Sequence, residues 1–136
     1  MELNRSRSGT HAELLVSLAK AYRAQHRYDE AEASLKQALE IYHLQPGAEL
    51  FSAKASGLLA SVHTDRGQLD KAEPLFNQAL PVLEEAFGAR GLDADYAAIL
   101  ESYAVLLRSA KRNREAERIE SRVKAIQGKL QQAKPK

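Results

Sequence analysis

Asp29-Glu30-Ala31-Glu32-Ala33-Ser34-Leu35-Lys36-Gln37-Ala38-Leu39 returns almost intact as Asp70-Lys71-Ala72-Glu73-Pro74-Leu75-Phe76-Asn77-Gln78-Ala79-Leu80. A fainter copy is Arg114-Glu115-Ala116-Glu117-Arg118-Ile119-Glu120-Ser121-Arg122-Val123-Lys124. The three starts lie 41 and 44 residues apart. Self-similarity at a period of this size marks a stacked repeat architecture, in which each unit buries its apolar face against its neighbours.

Working outward, the apolar residues keep helical spacing. Leu14, Leu15, Leu18, Ala19 and Tyr22 form one stripe, and Ala31, Leu35, Ala38, Leu39 and Tyr42 form the next. Thr10 with Glu13, and Asp29 with Glu32, read as capping boxes that start these two helices. Gln25-His26-Arg27-Tyr28 is a polar turn, and Gln45-Pro46-Gly47 is a stop. A second pair runs from about Glu49 to Asp65, breaks at Gly67, restarts behind an Asp70 cap and ends at Gly88 and Gly91. Pro74 sits in a first helical turn, where a missing N–H costs little, whereas Pro81 predicts a kink near 77–81. A third pair opens at about Asp93 and turns at Lys111-Arg112-Asn113; Gly128 and Pro135 mark its fraying end. Ala19, Ala60 and Ala104 recur in the first helices and Ala31, Ala72 and Ala116 in the second, where paired helices must come close.

The expectation is therefore an all-α solenoid of three antiparallel helix pairs. It forms a single domain over 10–132, with repeats at about 10–47, 48–91 and 92–132. Segments 1–9 and 133–136 are expected to be disordered tails, Arg5-Ser6-Arg7-Ser8 included.

Composition narrows the chemistry. There is no cysteine, so disulfides and thiol chemistry are excluded. His11, His26, His43 and His63 lack ligand spacing, so no metal site is expected. No Gly-rich phosphate loop, Gly-x-Ser-x-Gly or nucleophile–base pairing stands out; the chain reads as non-enzymatic, with no cofactor. No apolar run approaches the ~20 residues of a membrane helix. The N-terminus has no apolar segment behind its arginines, so a cytoplasmic protein without a membrane anchor is the default. Charge is uneven: residues 108–136 hold ten Lys and Arg against three acids, a local net charge of +7 that leaves −5 for the remainder.

Leu18-Ala19-x-x-Tyr22 with Ala31, Leu35 and Ala38; Leu59-Ala60 with Gly67, Ala72, Phe76 and Ala79; and Leu100 with Ala104 and Ala116 together resemble the tetratricopeptide repeat (TPR). The longer spacing, with Tyr28-Asp29-Glu30-Ala31-Glu32 and Ala86-Phe87-Gly88, resembles the kinesin-light-chain-like subgroup. The resemblance covers about residues 12–127. It departs in the third repeat, where Glu120 stands in the place of Leu35 and Phe76.

The resemblance implies a right-handed superhelix and a scaffold that binds a protein or peptide in its concave groove. The groove positions it implies are Glu13, Val16, Ser17, Lys20 and Arg23; Lys54, Gly57, Leu58, Ser61 and Thr64; and Ala98, Glu101, Ser102, Val105 and Arg108. Sites where the subgroup often places asparagine are Ser17, Leu58 and Ser102 here, and of a carboxylate clamp only Lys20 has a counterpart. Lys20, Arg23 and Arg108 are candidate anchors for an acidic peptide.

Two alternatives stand beside this reading. Ala116, Ile119, Val123, Ile126 and Leu130 form a narrow 3-4 seam that would pair two copies into a homo-oligomer, or else cap the solenoid from within; open solenoid ends are the other route to self-association. The flank Arg114, Arg118, Arg122 and Lys129 would serve nucleic-acid binding, the weaker alternative, or form a solvated face.

Overall fold

The computed structural model describes residues 2–88 and 93–133, with side chains from residue 9 onward. Six helices follow one another: α1 (Glu2–Ala24), α2 (Tyr28–His43), α3 (Glu49–Asp65), α4 (Leu69–Phe87), α5 (Ala94–Ser109) and α6 (Asn113–Ala133). No strand occurs among the described residues. α1 packs on α2, α3 on α4 and α5 on α6, while α3 lies against α2 and α5. This is the expected all-α solenoid of three antiparallel pairs.

The pairs close because their crossing residues are alanines. Ala19, Ala60 and Ala104 are each 2% exposed or less, and Ala31, Ala72 and Ala116 are fully buried. Leu35, Phe76, Leu83, Ile99, Leu100 and Leu107 fill the space between successive pairs. At Gly57, α3 comes close against α5: a Cβ there would lie 2.7 Å from Ile99 Cδ1 and 3.0 Å from its Cγ2.

Each pair turns in the same way. His26, Gly67 and Lys111 occupy equivalent places and take φ values of 61°, 73° and 61°. The N–H groups of Arg27, Gln68 and Arg112 then donate back to the carbonyls of Tyr22, His63 and Leu107, each at 2.8 Å. This is a Schellman closure. The carbonyls of Arg27, Gln68 and Arg112 in turn accept from Ala31, Ala72 and Ala116 at 3.1, 3.1 and 3.0 Å. One residue thus ends one helix and starts the next.

That economy corrects the expected caps. α2 and α4 begin at Tyr28 and Leu69 behind Arg27 and Gln68, with no side-chain cap. Asp29 and Asp70 sit in the first turn, where a carboxylate complements the helix dipole. Asp93 is a true cap, its Oδ1 accepting from the Tyr96 N–H at 2.8 Å. The N-terminal tail is also corrected: α1 starts at Glu2, so Thr10 lies two turns inside a helix rather than before one. α4 runs unbroken through Pro74 and Pro81. The expected stop at Gly91 and the tail residues 134–136 fall outside the described residues.

α6 is tied down from two sides. Val123 and Ile126 are buried, and Ile119 and Leu130 pack on the core, so the seam is spent within the chain. Arg122, expected on a solvated flank, instead reaches Glu84 Oε1 at 2.7 Å and lies over the Tyr96 ring at 5.6 Å. The Tyr96 hydroxyl donates to the other Glu84 oxygen. The hydrogen bond from Arg122, helped by that from Tyr96 and opposed by burial, holds the Glu84 carboxyl below its ordinary value of 4.5. Burial first, then the bond to Glu84, pushes the Tyr96 phenol well above its usual range.

Three outcomes are expected in urea unfolding. Gly57→Ala gains about 1 kcal/mol of helix propensity. It loses about 1–3 kcal/mol to overpacking against the buried, stiff Ile99, so the net change is destabilising. An Ile99→Val background, which removes Cδ1, lessens that penalty. Lys111→Gly raises the midpoint by relieving a left-handed conformation worth about 1 kcal/mol. Because the folded pKa of Glu84 is depressed, its contribution is present above pH 4.5 and is lost as pH falls through the folded value. Glu84→Gln is thus less stable than wild type at pH 7, and the gap narrows below about pH 4.

Candidate protein-binding clefts

α3 packs along α5, whereas α1 stands off α3, and the gap between them is a cleft of about 470 Å³. Its floor is apolar: Ala19, Leu35, Leu58, Val62 and Ala98. Its mouth carries ion pairs. Arg23 grips both Asp65 oxygens through the Nε–Nη2 edge of its guanidinium, at 2.6 and 3.1 Å, and its Nη2 also donates to Ser102 Oγ at 3.2 Å. Lys20 spans to Asp95 at the start of α5, 2.8 Å away. Beside it Lys54 pairs with Asp93 at 2.7 Å and lies 3.7 Å from Asp95. His26 and Tyr28 close the remaining side, with Nδ1 and the hydroxyl 2.7 Å apart.

The groove positions implied by the repeat do not form one continuous row. Lys20, Arg23, Leu58 and Ala98 meet in this cleft. Glu101, Val105 and Arg108 line a second, of about 470 Å³, between α5 and α6, together with Glu120, Val123 and Lys124. Glu13 and Ser17 are exposed and Val16 and Lys54 half-buried, outside both clefts. Gly57, Ser61, Thr64 and Ser102 are buried. The Ser61 and Thr64 hydroxyls donate to the carbonyls of Gly57 and Ala60, at 3.1 and 2.8 Å. Both hydroxyl protons are therefore spent on their own helix.

The three candidate cationic anchors are all neutralised from within. Arg108 pairs with Glu120 at 2.5–2.6 Å, as Lys20 does with Asp95 and Arg23 with Asp65. The fork of Glu120 raises the Arg108 pKa, and that of Arg108 lowers Glu120. Sequence reasoning missed these carboxylates because they sit two repeats away (Asp95), one repeat away (Asp65) or across a helix pair (Glu120). The same spacing recurs outside the groove. Glu32 accepts from Arg66 and the equivalent Glu73 from Arg112, at 3.2 and 3.4 Å. Burial pushes the Glu32 carboxyl up, but Lys36, His63 and Arg66 together bring it below its usual value. Opposite charges spaced by about one period were the available signal.

The family comparison agrees with this architecture. The tetratricopeptide repeat matches residues 10–85 and 51–129, which together span most of the sequence. The chain belongs to the tetratricopeptide repeat family, whose members are generally protein-interaction modules and typically non-catalytic. The comparison with curated proteins found no match. Among the described residues there is no helix long and apolar enough to cross a membrane and no cluster of metal-binding side chains.

Asp65→Ala is expected to cost about 1 kcal/mol by leaving Arg23 unpaired. The difference from wild type should shrink in 1 M salt, read from paired thermal melts.

Proposed function

We propose that this chain is a non-catalytic scaffold of the kinesin-light-chain-like subgroup that seats a peptide in the cleft between α1, α3 and the start of α5. The observation that carries the reading is an apolar floor under a rim of already paired charges. The subgroup assignment is supported by the 41-residue spacing and by Tyr28-Asp29-Glu30-Ala31-Glu32. Each rim cation has its own carboxylate, so an acidic ligand gains little: it would have to displace Asp65 or Asp95. A large apolar side chain loses water on both sides and disturbs no ion pair. The peptide is therefore anchored by an aliphatic or aromatic residue, and its backbone polar groups meet the rim formed by Lys20, Arg23, Asp65 and Asp95. Glu13, Val16, Ser17 and Lys54 flank its path, and Glu101, Val105 and Arg108 line the separate cleft between α5 and α6.

A displayed random-peptide library, selected on wild type, tests this. The enriched peptides are expected to share one large apolar residue and to bind with little salt dependence. Ala98→Trp fills the cleft and lowers their affinity about tenfold or more in fluorescence anisotropy, with helical circular dichroism unchanged. Enrichment of acidic peptides lacking that residue, or binding indifferent to Ala98→Trp, would refute the proposal.

A further inference from the structure

The two ends of the solenoid are built differently. In the second helix of each pair, Leu35 and Phe76 are 1% and 0% exposed, packed under the pair that follows. Their equivalent at the C-terminal end is Glu120. Leu39 and Leu80 become Lys124, Tyr42 and Leu83 become Gln127, and Gly57 becomes Glu101. Glu120 is moreover locked to Arg108. The C-terminal end face is mainly polar and charged, with Val105 exposed on it.

The N-terminal end face has no such conversion. Leu14 is 57% exposed and Leu18 40%. Their equivalents in the inner pairs are buried or packed on the core: Ala55 and Ile99 are fully buried, Leu59 is 5% exposed, and Tyr103 packs on the core. Ala21 is exposed as well, whereas its equivalents Val62 and Leu106 are each 1% exposed. The exposed strip along α1 is His11, Leu14, Ser17, Leu18, Ala21 and Gln25, with no Asp, Glu, Lys or Arg among them. α1 also starts at Glu2, about one and a half turns before the position equivalent to Glu49, the first residue of α3.

We infer that this face of α1 is a homodimer interface, mated to the same face of a second copy. The ends decide between partners. Head-to-tail stacking would set Leu14 and Leu18 against Glu120, Lys124 and Glu101 of the next copy, burying charges against leucine. Among the described side chains of that strip, face-to-face mating buries leucine on leucine and no formal charge. The small Ser17 and Ala21 beside the leucines let two α1 helices approach closely. A two-fold axis near Leu14–Leu18 closes the assembly at two chains, because the polar C-terminal faces point away.

Analytical ultracentrifugation of the full chain over a wide concentration range tests this, with two variants. Wild type is expected to form dimers and nothing larger. Leu14→Glu/Leu18→Glu raises the dimer dissociation constant by about 100-fold or more with helical circular dichroism retained, and Val105→Glu, on the other end face, leaves it unchanged. Wild type that stays monomeric at about 1 mM overturns the inference. So does an open-ended series of oligomers, a dimer that survives the double leucine substitution, or one that Val105→Glu breaks. Should the double variant unfold, cysteine placement decides instead, since the chain has none of its own. Ser17→Cys is expected to oxidise to a covalent dimer and the exposed Ser109→Cys is not; the reverse pattern overturns the interface.

Discussion

Everything in this fold depends on how near two antiparallel helices can come. At the crossings of α1 with α2, α3 with α4 and α5 with α6 stand Ala19 and Ala31, Ala60 and Ala72, and Ala104 and Ala116, all buried. A larger residue at any of them would wedge its pair apart, and the leucine and phenylalanine layers between pairs would lose contact in turn. The turns work to the same end. A single residue at φ near 60–70° closes one helix and a single carbonyl opens the next, so the two helices of a pair have no slack in which to separate. Only the middle turn uses glycine for this. The outer two force His26 and Lys111 into the left-handed region, and the packing of the pairs holds them there.

With the pairs fixed, the interaction surface follows from where they diverge. α1 leaves α3 while α3 stays on α5, and the cleft between them inherits a floor of core residues. Its charges come from helix ends: Asp65 closes α3, Asp95 opens α5, and Lys20 and Arg23 lie in the last turns of α1. Two of these pairs join different helix pairs, so the ionic rim doubles as a brace across the opening.

The repeat was legible because it rests on local periodicity and on small residues recurring at one offset. The helix count, the pairing and the alanine crossings all followed from that. Caps were less legible. Asp29 and Asp70 have the right residue type and spacing, yet the turn chemistry of Arg27 and Gln68 takes over their role one residue earlier. Asp93, which opens the helix after a connection between pairs, is free to act as a side-chain cap. The cationic anchors were legible as residues but not as charges, because whether Lys20 or Arg23 is available depends on a carboxylate 75 or 42 positions away. Ser61 and Thr64 fit the groove pattern by position, while their burial and their bonds to Gly57 and Ala60 follow from how tightly α3 is enclosed.

The contact between Gly57 and Ile99 bears on a hazard peculiar to chains made of near-copies. Such a chain can assemble out of order, with α5 docking directly on the first pair and the second pair left outside. At the interface between the second and third pairs the small residue is on the earlier helix and the large one on the later. At the equivalent positions one repeat back the order is reversed, with Val16 on α1 and Ala55 on α3. Ile99 brought against the first pair would meet Val16, where Gly57 leaves room only for a bare backbone. Skipping a repeat would thus forfeit the close Gly57–Ile99 fit, which only the second and third pairs in their own order can make.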